Sequence, residues 1–323
     1  MNPKVIMQPQ TRRGFIQTTA LASAALAIPA SASQNGAKTK MFKNLGGGHI
    51  GLKANQKEAI ELAAQYGFKG VTPSIGELAK MSSAQRKDTV AFLKEKGLRW
   101  GASGLSVNFR KDDDSFKQGL AKYADEAKIM NEVGITRVAT WIISGSNELT
   151  YLQHFKLFQS RLRECAKVLK DQDIRLGLEF VGPRSTRKRF KFPFICTQLG
   201  MLELCDAIDI GNTGLLLDCW HWYTSHGTPE ELAQLTKDQI VLVHINDAPK
   251  GIEIDQQKDS KRQLPCTSGV IDMKTFINNL QKIGYDGPVE CEPFDNALRK
   301  MDTEPKLQKT SAAISRAFDL IEG

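Results

Sequence analysis

The sequence predicts a single (β/α)8 barrel, and two observations carry the prediction. Between about residues 41 and 321, short apolar runs alternate eight times with amphipathic helical segments, and four successive runs in the C-terminal half end in a side chain able to bind a metal. Those four are RLGLE ending at Glu179, TGLLLD at Asp218, IVLVH at His244 and GPVECE at Glu292. Fully covered parallel strands read as continuous apolar runs. A polar residue at the C-terminal end of such a strand stands at the mouth where barrels of this kind keep their chemistry.

The elements follow in order. A first strand is expected at Met41–Leu45, running into Gly46-Gly47-Gly48-His49. A helix over Gln56–Gln65 stops at Gly67, and the second strand is Gly70–Thr72. A helix over Gln85–Lys96 stops at Gly97, and the third strand is Leu98–Ala102. The third helix covers Phe116–Val133, and the fourth strand covers Thr136–Trp141. Phe155, Phe158, Leu162, Cys165 and Leu169 recur at steps of three and four, one apolar face of a fourth helix. The fifth strand ends at Glu179, a helix spans about Ile195–Ala207, and the sixth strand ends at Asp218. Thr228 and Pro229 open the sixth helix as N-cap and first helical residue. The seventh strand ends at His244, a helix covers Met273–Lys282, the eighth strand ends at Glu292, and a last helix covers Ile314–Ile321. A doubly wound open sheet is the competing arrangement. The number of units and four polar ends directed at one mouth count against it.

The first 32 residues read as an export leader rather than as fold. Thr11-Arg12-Arg13-Gly14-Phe15-Ile16 resembles a twin-arginine motif, an Ala-rich apolar run follows, and Ala30-Ser31-Ala32 offers a cleavage site. The apolar run is too short for a stable membrane span, which needs about 20 residues. The expected localisation is therefore periplasmic or otherwise exported, with no stable membrane insertion after cleavage. Residues 33–323 are expected to form the barrel as one domain. The formal charge is +8, or +5 without Lys4, Arg12 and Arg13, too mild to imply nucleic acid. None of the six cysteines forms a C-x-x-C pair, and they read as small buried hydrophobes. A homo-oligomer is left open.

Three carboxylates and one imidazole make a hard, oxygen-rich donor set. It suits one divalent metal, Mn²⁺ first, with Mg²⁺, Co²⁺, Zn²⁺ or Fe²⁺ as alternatives. Glu179 and Glu292 sit on different sides of the mouth and form the natural acid/base pair for proton transfer beside a carbonyl. Glu290 and Glu292 are two apart and share one strand face, so periodicity leaves open which of them belongs to the set.

At Leu178–Pro183, Leu217–Tyr223, Val243–Pro249 and Glu290–Phe294 the chain resembles the xylose-isomerase-like barrel superfamily, in particular its sugar phosphate isomerase/epimerase branch. The resemblance covers about Phe42 to Ile321. It implies that Glu179, Asp218, His244 and Glu292 bind one metal, that Glu179 and Glu292 are catalytic, and that His221 of the D-x-x-H pattern lies beside the substrate. It favours Glu292 over Glu290, which becomes a deeper residue or a partner of a cation. The pattern R-x-L-P-G-E-G-x-I-D appears here as Arg262 to Asp272 with Cys266-Thr267-Ser268 in place of the G-E pair. Arg262 survives as a substrate contact, while a carboxylate that orders this loop is missing.

The run Pro183–Lys191 reads either as a solvated loop or as a cationic rim for an anionic sugar, with Arg184 and Arg187 nearest the mouth. His49 follows a tight turn at the mouth and is a candidate substrate contact. Trp141 ends the fourth strand and Trp220 and Trp222 flank His221; one of them, Trp141 first, is a candidate stacking platform, while core packing is the commoner use of tryptophan. His154 and His226 read as surface residues. The leading function is a metal-dependent sugar isomerase or epimerase acting on a small carbohydrate. A keto-sugar lyase or dehydratase of the same fold is the alternative. A DNA-repair endonuclease and a non-catalytic sugar-binding protein are weaker readings.

Overall fold

The computed structural model describes residues 39–322. The expected leader lies outside the described residues. Eleven strands appear in chain order among the described residues. They are β1 (Phe42–Leu45), β2 (Gly70–Val71), β3 (Arg99–Trp100), β4 (Ser103–Gly104), β5 (Arg137–Trp141), β6 (Gly145–Ser146), β7 (Arg175–Glu179), β8 (Phe192–Pro193), β9 (Thr213–Asp218), β10 (Ile240–His244) and β11 (Pro288–Glu290). All but β6 and β8 form one parallel sheet in the order β3-β2-β1-β11-β10-β9-β7-β5-β4.

The two ends of that order, β3 and β4, are consecutive in the chain, with only Gly101 and Ala102 between them. The Gly101 amide still bonds Val71 on β2, and the Leu105 amide already bonds Ala139 on β5. The nine segments are therefore eight staves, the third broken in its middle, and the sheet closes on itself as a TIM barrel. The expected third strand was one unbroken run over Leu98–Ala102. The break arises because this stave hands its ladder from one neighbour to the other.

The helices are α1 (Gln56–Gln65), α2 (Ile75–Leu78), α3 (Ser83–Glu95), α4 (Asp113–Glu132), α5 (Tyr151–Lys170), α6 (Arg184–Arg187), α7 (Gln198–Ile208), α8 (Cys219–Thr224), α9 (Pro229–Ala233), α10 (Met273–Lys282), α11 (Asn296–Lys300) and α12 (Thr303–Phe318). Reciprocal capping boxes fix three starts: Asn55 with Glu58, Ser82 with Gln85, and Thr228 with Glu231. The last helix begins at Thr303 rather than at Ile314. Its buried stripe runs through Leu307, Thr310, Ala313, Ile314 and Ala317, where small residues conceal the apolar period. No helix among the described residues is long and apolar enough to cross a membrane.

The main core lies between barrel and helices. Inside the barrel, Ala102, Ala139, Leu216 and Leu242 form a separate small cluster. Asp218 follows Leu216 by two residues and His244 follows Leu242 by two. Strand pleating thus stands these polar side chains above that apolar layer. His154 is buried, stacked on Phe194 at 4.1 Å, which corrects the surface reading. Its place four residues before Phe158 extends the apolar face of α5 by one turn. All six cysteines are free thiols.

Candidate metal and substrate site

Asp218 and His244 close β9 and β10 directly opposite each other, and Glu179 closes β7 opposite Trp141. All three carboxylate or imidazole side chains are buried. Glu292 arrives differently. The strand expected to end there stops at Glu290, whose carbonyl takes the last ladder bond from the Ile245 amide. Beyond it the Glu292 amide donates to Asn246 Oδ1 at 2.9 Å, a side-chain tether that replaces the ladder.

His244 Nδ1 faces Glu179 Oε1 at 3.7 Å, Glu292 Oε2 at 3.8 Å and Asp218 Oδ2 at 3.9 Å. One donor atom from each of the four lies within 4.8 Å of the others. Glu179 Oε1 and His244 Nδ1 are buried without any hydrogen-bond partner. The other ring nitrogen, His244 Nε2, lies 3.1 Å from Glu290 Oε1. Burial alone would raise the Glu290 carboxyl, but hydrogen bonds from His244 and His49 hold it far below the usual carboxylate range. An ionised Glu290 places the His244 proton on Nε2, which leaves the Nδ1 lone pair bare among three carboxylates. Metal-ligating histidines show this arrangement, one nitrogen tied to a carboxylate and the other free for the ion. The four residues therefore fit a divalent cation, and Glu290 falls behind the histidine rather than in the set. His49, His244 and Glu290 also cluster, but they are already joined by hydrogen-bond contacts of 3.1 and 3.3 Å.

The acids differ electrostatically. Burial and the charges of Glu292 and Asp218 push the Glu179 carboxyl well above its ordinary range. Burial also disfavours ionisation of Glu292, but the His49 hydrogen bond and the charge of Arg262 outweigh it and hold that carboxyl low.

Arg262 reaches the centre, buried to 3% exposure. Its Nη1 donates to Asp218 Oδ2 at 2.7 Å and Glu292 Oε2 at 2.8 Å, and its Nη2 donates to Asp259 at 2.7 Å. Its guanidinium lies 4.5 Å from the Phe294 ring. His221 is fixed from behind: its Nδ1 accepts the Gly182 amide at 3.1 Å. A side chain on Gly182 would meet Thr224 Oγ1 at 2.8 Å, so glycine is what lets the backbone come this close. Burial and the Arg262 charge lower the His221 imidazole to about 4. The neutral ring stands with Nε2 3.1 Å from Arg262 Nη2 and 3.9 Å from Glu179.

His49 lies edge-on to His244, with Nδ1 2.9 Å from Glu292 Oε1 and Nε2 3.3 Å from Glu290 Oε1. Burial would lower its imidazole, but the two glutamates raise it to about 10. Gly46 makes room for it, because a Cβ there would meet the His49 ring at 2.7 Å.

A cavity of about 400 Å³ opens above the group, lined among others by Trp141, Glu179, His221, Arg262, Glu292 and Phe294. Trp141 stands at its rim, 47% exposed, whereas Trp220 and Trp222 are core. The structure does not bring Arg184 and Arg187 to this cavity. Arg184 pairs with Asp255 at 2.7 Å, and Arg187 reaches Cys196 Sγ at 3.1 Å. Their loop neighbours Thr186 and Arg189 line it instead. Arg110, which no sequence signal singled out, stacks between Phe109 and Trp141 at 4.2 Å from each ring. The carboxylate absent from the loop before α10 has a substitute. Asp247 accepts the amides of Ser268, Gly269, Val270 and Ile271 at 2.7 to 3.2 Å.

Sequence and structure comparisons bear on the fold and the family. An inosose isomerase of Bacillus velezensis is 21% identical over 275 residues, covering 82% of this chain and 94% of that protein. A xylose isomerase domain protein from Alicyclobacillus acidocaldarius superposes with a TM-score of 0.78 at 25% identity, covering 88% of this chain and all of that one. The IOLI protein, solved with a binding zinc atom, superposes at 0.73 with 18% identity, covering 88% and 100%. The profile of the family described as xylose isomerase-like TIM barrel matches residues 60–317, and the chain belongs to that family.

Proposed function

We propose that this protein is a divalent-metal-dependent sugar isomerase or epimerase that moves a proton beside a carbonyl. The observation that carries the reading is the bare pair Glu179 Oε1 and His244 Nδ1, buried and unpartnered among Asp218 and Glu292. A divalent ion held by these four would polarise a carbonyl and acidify the adjacent C–H. Mn²⁺ suits the oxygen-rich set best. The zinc of the IOLI protein and the inosose isomerase relative support a metal and a polyhydroxy carbonyl substrate.

The remaining chemistry falls to the chain. His221 and Arg262 line the cavity beside the two glutamates and would orient substrate oxygens there. Glu292, held ionised, takes the proton from carbon. Glu179 stands on the other side of the mouth, where it would deliver a proton to the opposite face.

The test is a screen of sugars, keto-sugars and inososes with the Mn²⁺-loaded protein in D₂O, read by NMR. Isomerised product carrying deuterium at the reacting carbon is expected. Product formed with no deuterium would reject proton transfer in favour of a hydride shift, and loss of water would assign the lyase alternative. Export through the twin-arginine pathway is part of the same reading, supported by Arg12 and Arg13. Lys at both positions should retain the protein inside the cell, and an unchanged periplasmic yield would reject the twin-arginine route.

A further inference from the structure

The cavity above the four strand-end residues does not stop at its rim. It shares Thr186, Arg189, Asp259 and Phe294 with an outer chamber of about 770 Å³. The inner cavity, about 400 Å³, already lies in the roughly 300–1,000 Å³ range of small-molecule sites, so a monosaccharide has no need of the outer one.

The outer chamber is basic. Lys188, Arg189, Lys258 and Arg299 line it, and its one acid, Asp259, is bound by Arg262 at 2.7 Å. Arg299 is committed to the carbonyls of Gly48 and His49 at 3.1 and 3.0 Å. Lys188, Arg189 and Lys258 form no ion pair within 4.0 Å among the described residues. Three unpaired cations around one hollow repel each other, and an anion placed among them removes that repulsion. Phe294 is one of the four residues that line both chambers. It is a non-glycine residue at φ 44°, a conformation that bulky side chains rarely adopt and that persists at binding sites when the surroundings enforce it.

We propose that the substrate is a glycoside that carries a ring carbonyl and an anionic substituent. The sugar ring occupies the inner cavity, the linkage passes Phe294, and the anionic group lies among Lys188, Arg189 and Lys258. The sugar half rests on the functional reading above, whereas the anion half stands on the chamber alone.

The test is titration calorimetry on the full-length, Mn²⁺-loaded protein at low salt with four probes. These are phenyl β-D-glucoside, its 4-carboxy and 4-phosphate derivatives, and 4-hydroxybenzoate. At least one anionic glucoside is expected to bind about tenfold more tightly than the neutral one, ~1.4 kcal/mol. The tighter of the two tells carboxylate from phosphate. The advantage should be lost in the combined Lys188→Ala, Lys258→Ala variant, which spares the inner cavity, and in high salt, with phenyl glucoside affinity unchanged. Equal binding of charged and neutral glucosides overturns the proposal, as does an advantage that survives the double variant, or no binding by any probe. Hydroxybenzoate binding that depends on the two lysines, with no glucoside binding, would sink the sugar reading and leave the anion chamber standing.

Discussion

Replacing Glu290 by Gln tests the site from behind. Four donors converge on this carboxylate. His244 Nε2 and His49 Nε2 approach Oε1 at 3.1 and 3.3 Å, and Asn44 Nδ2 and Thr72 Oγ1 approach Oε2, the latter at 3.1 Å. Gln keeps the shape but offers one acceptor oxygen. If that oxygen stays toward the histidines, the new NH₂ meets Asn44 and Thr72. Asn44 Oδ1 has no partner, so this amide can turn over and accept, and the threonine hydroxyl can rotate. The cost to folding should therefore stay near or below about 1 kcal/mol. The cost to the metal should be larger, because a neutral amide no longer supports the His244 proton. Loss of such a partner typically weakens metal binding about 10- to 100-fold, which is ~1.4 to 2.7 kcal/mol. Chelator competition gives the affinity, and urea unfolding of the metal-free protein gives the stability. Manganese affinity within about twofold of the wild type would refute the argument. So would a fall in metal-free stability large enough to account for the loss.

Glu179→Gln should lower kcat by about 10²- to 10⁴-fold while the melting temperature holds, and retained turnover would remove Glu179 from the acid/base pair. Saturating Mn²⁺, at about one hundred times its Kd, should add ~2.7 kcal/mol to unfolding, reversed by EDTA; a midpoint indifferent to both would argue against the site. Gly182→Ala drives a methyl toward Thr224 Oγ1, and about 1–3 kcal/mol of destabilisation with a raised KM is expected from denaturation and kinetics. Asp247→Asn has a signed pH dependence. Burial would raise the Asp247 carboxyl, but the amides of Gly269, Ile271 and Ser268 lower it. Its stabilisation is fully present above the unfolded value of about 3.9 and is lost as the pH falls through the lower folded value. The variant's stability deficit should thus be flat above about pH 5 and narrow in more acid solution; a deficit that widens there would contradict the assignment.

Glu179, Asp218 and His244 are legible as sequence because covered strands are apolar on both faces, and a polar last residue stands out. Glu292 is not legible in this way. Its strand stops two residues earlier, and only partners distant in the chain separate it from Glu290: His244 on one, Asn246 on the other. Loop side chains are harder still. Arg184 points to Asp255, 71 positions away, and nothing in a basic run foretells direction. Arg110 was missed because the third stave was expected to end at Ala102, whereas it resumes at Ser103 and carries the next loop to the mouth. Arg262, visible only by resemblance, proves to be the most connected cation of the centre.

Asp218 divides its two oxygens between separate tasks. Oδ1 accepts the Trp220 amide and so opens α8, the helix that carries His221, while Oδ2 faces Arg262 and the centre. A substitution at 218 would remove the helix start and the polar centre together, so selection for a foldable chain also guards the reactive corner. The segments 183–191 and 250–258 carry no such double duty for the barrel. Lineages can rewrite them, and with them the choice of substrate, without reopening the question of how the chain folds.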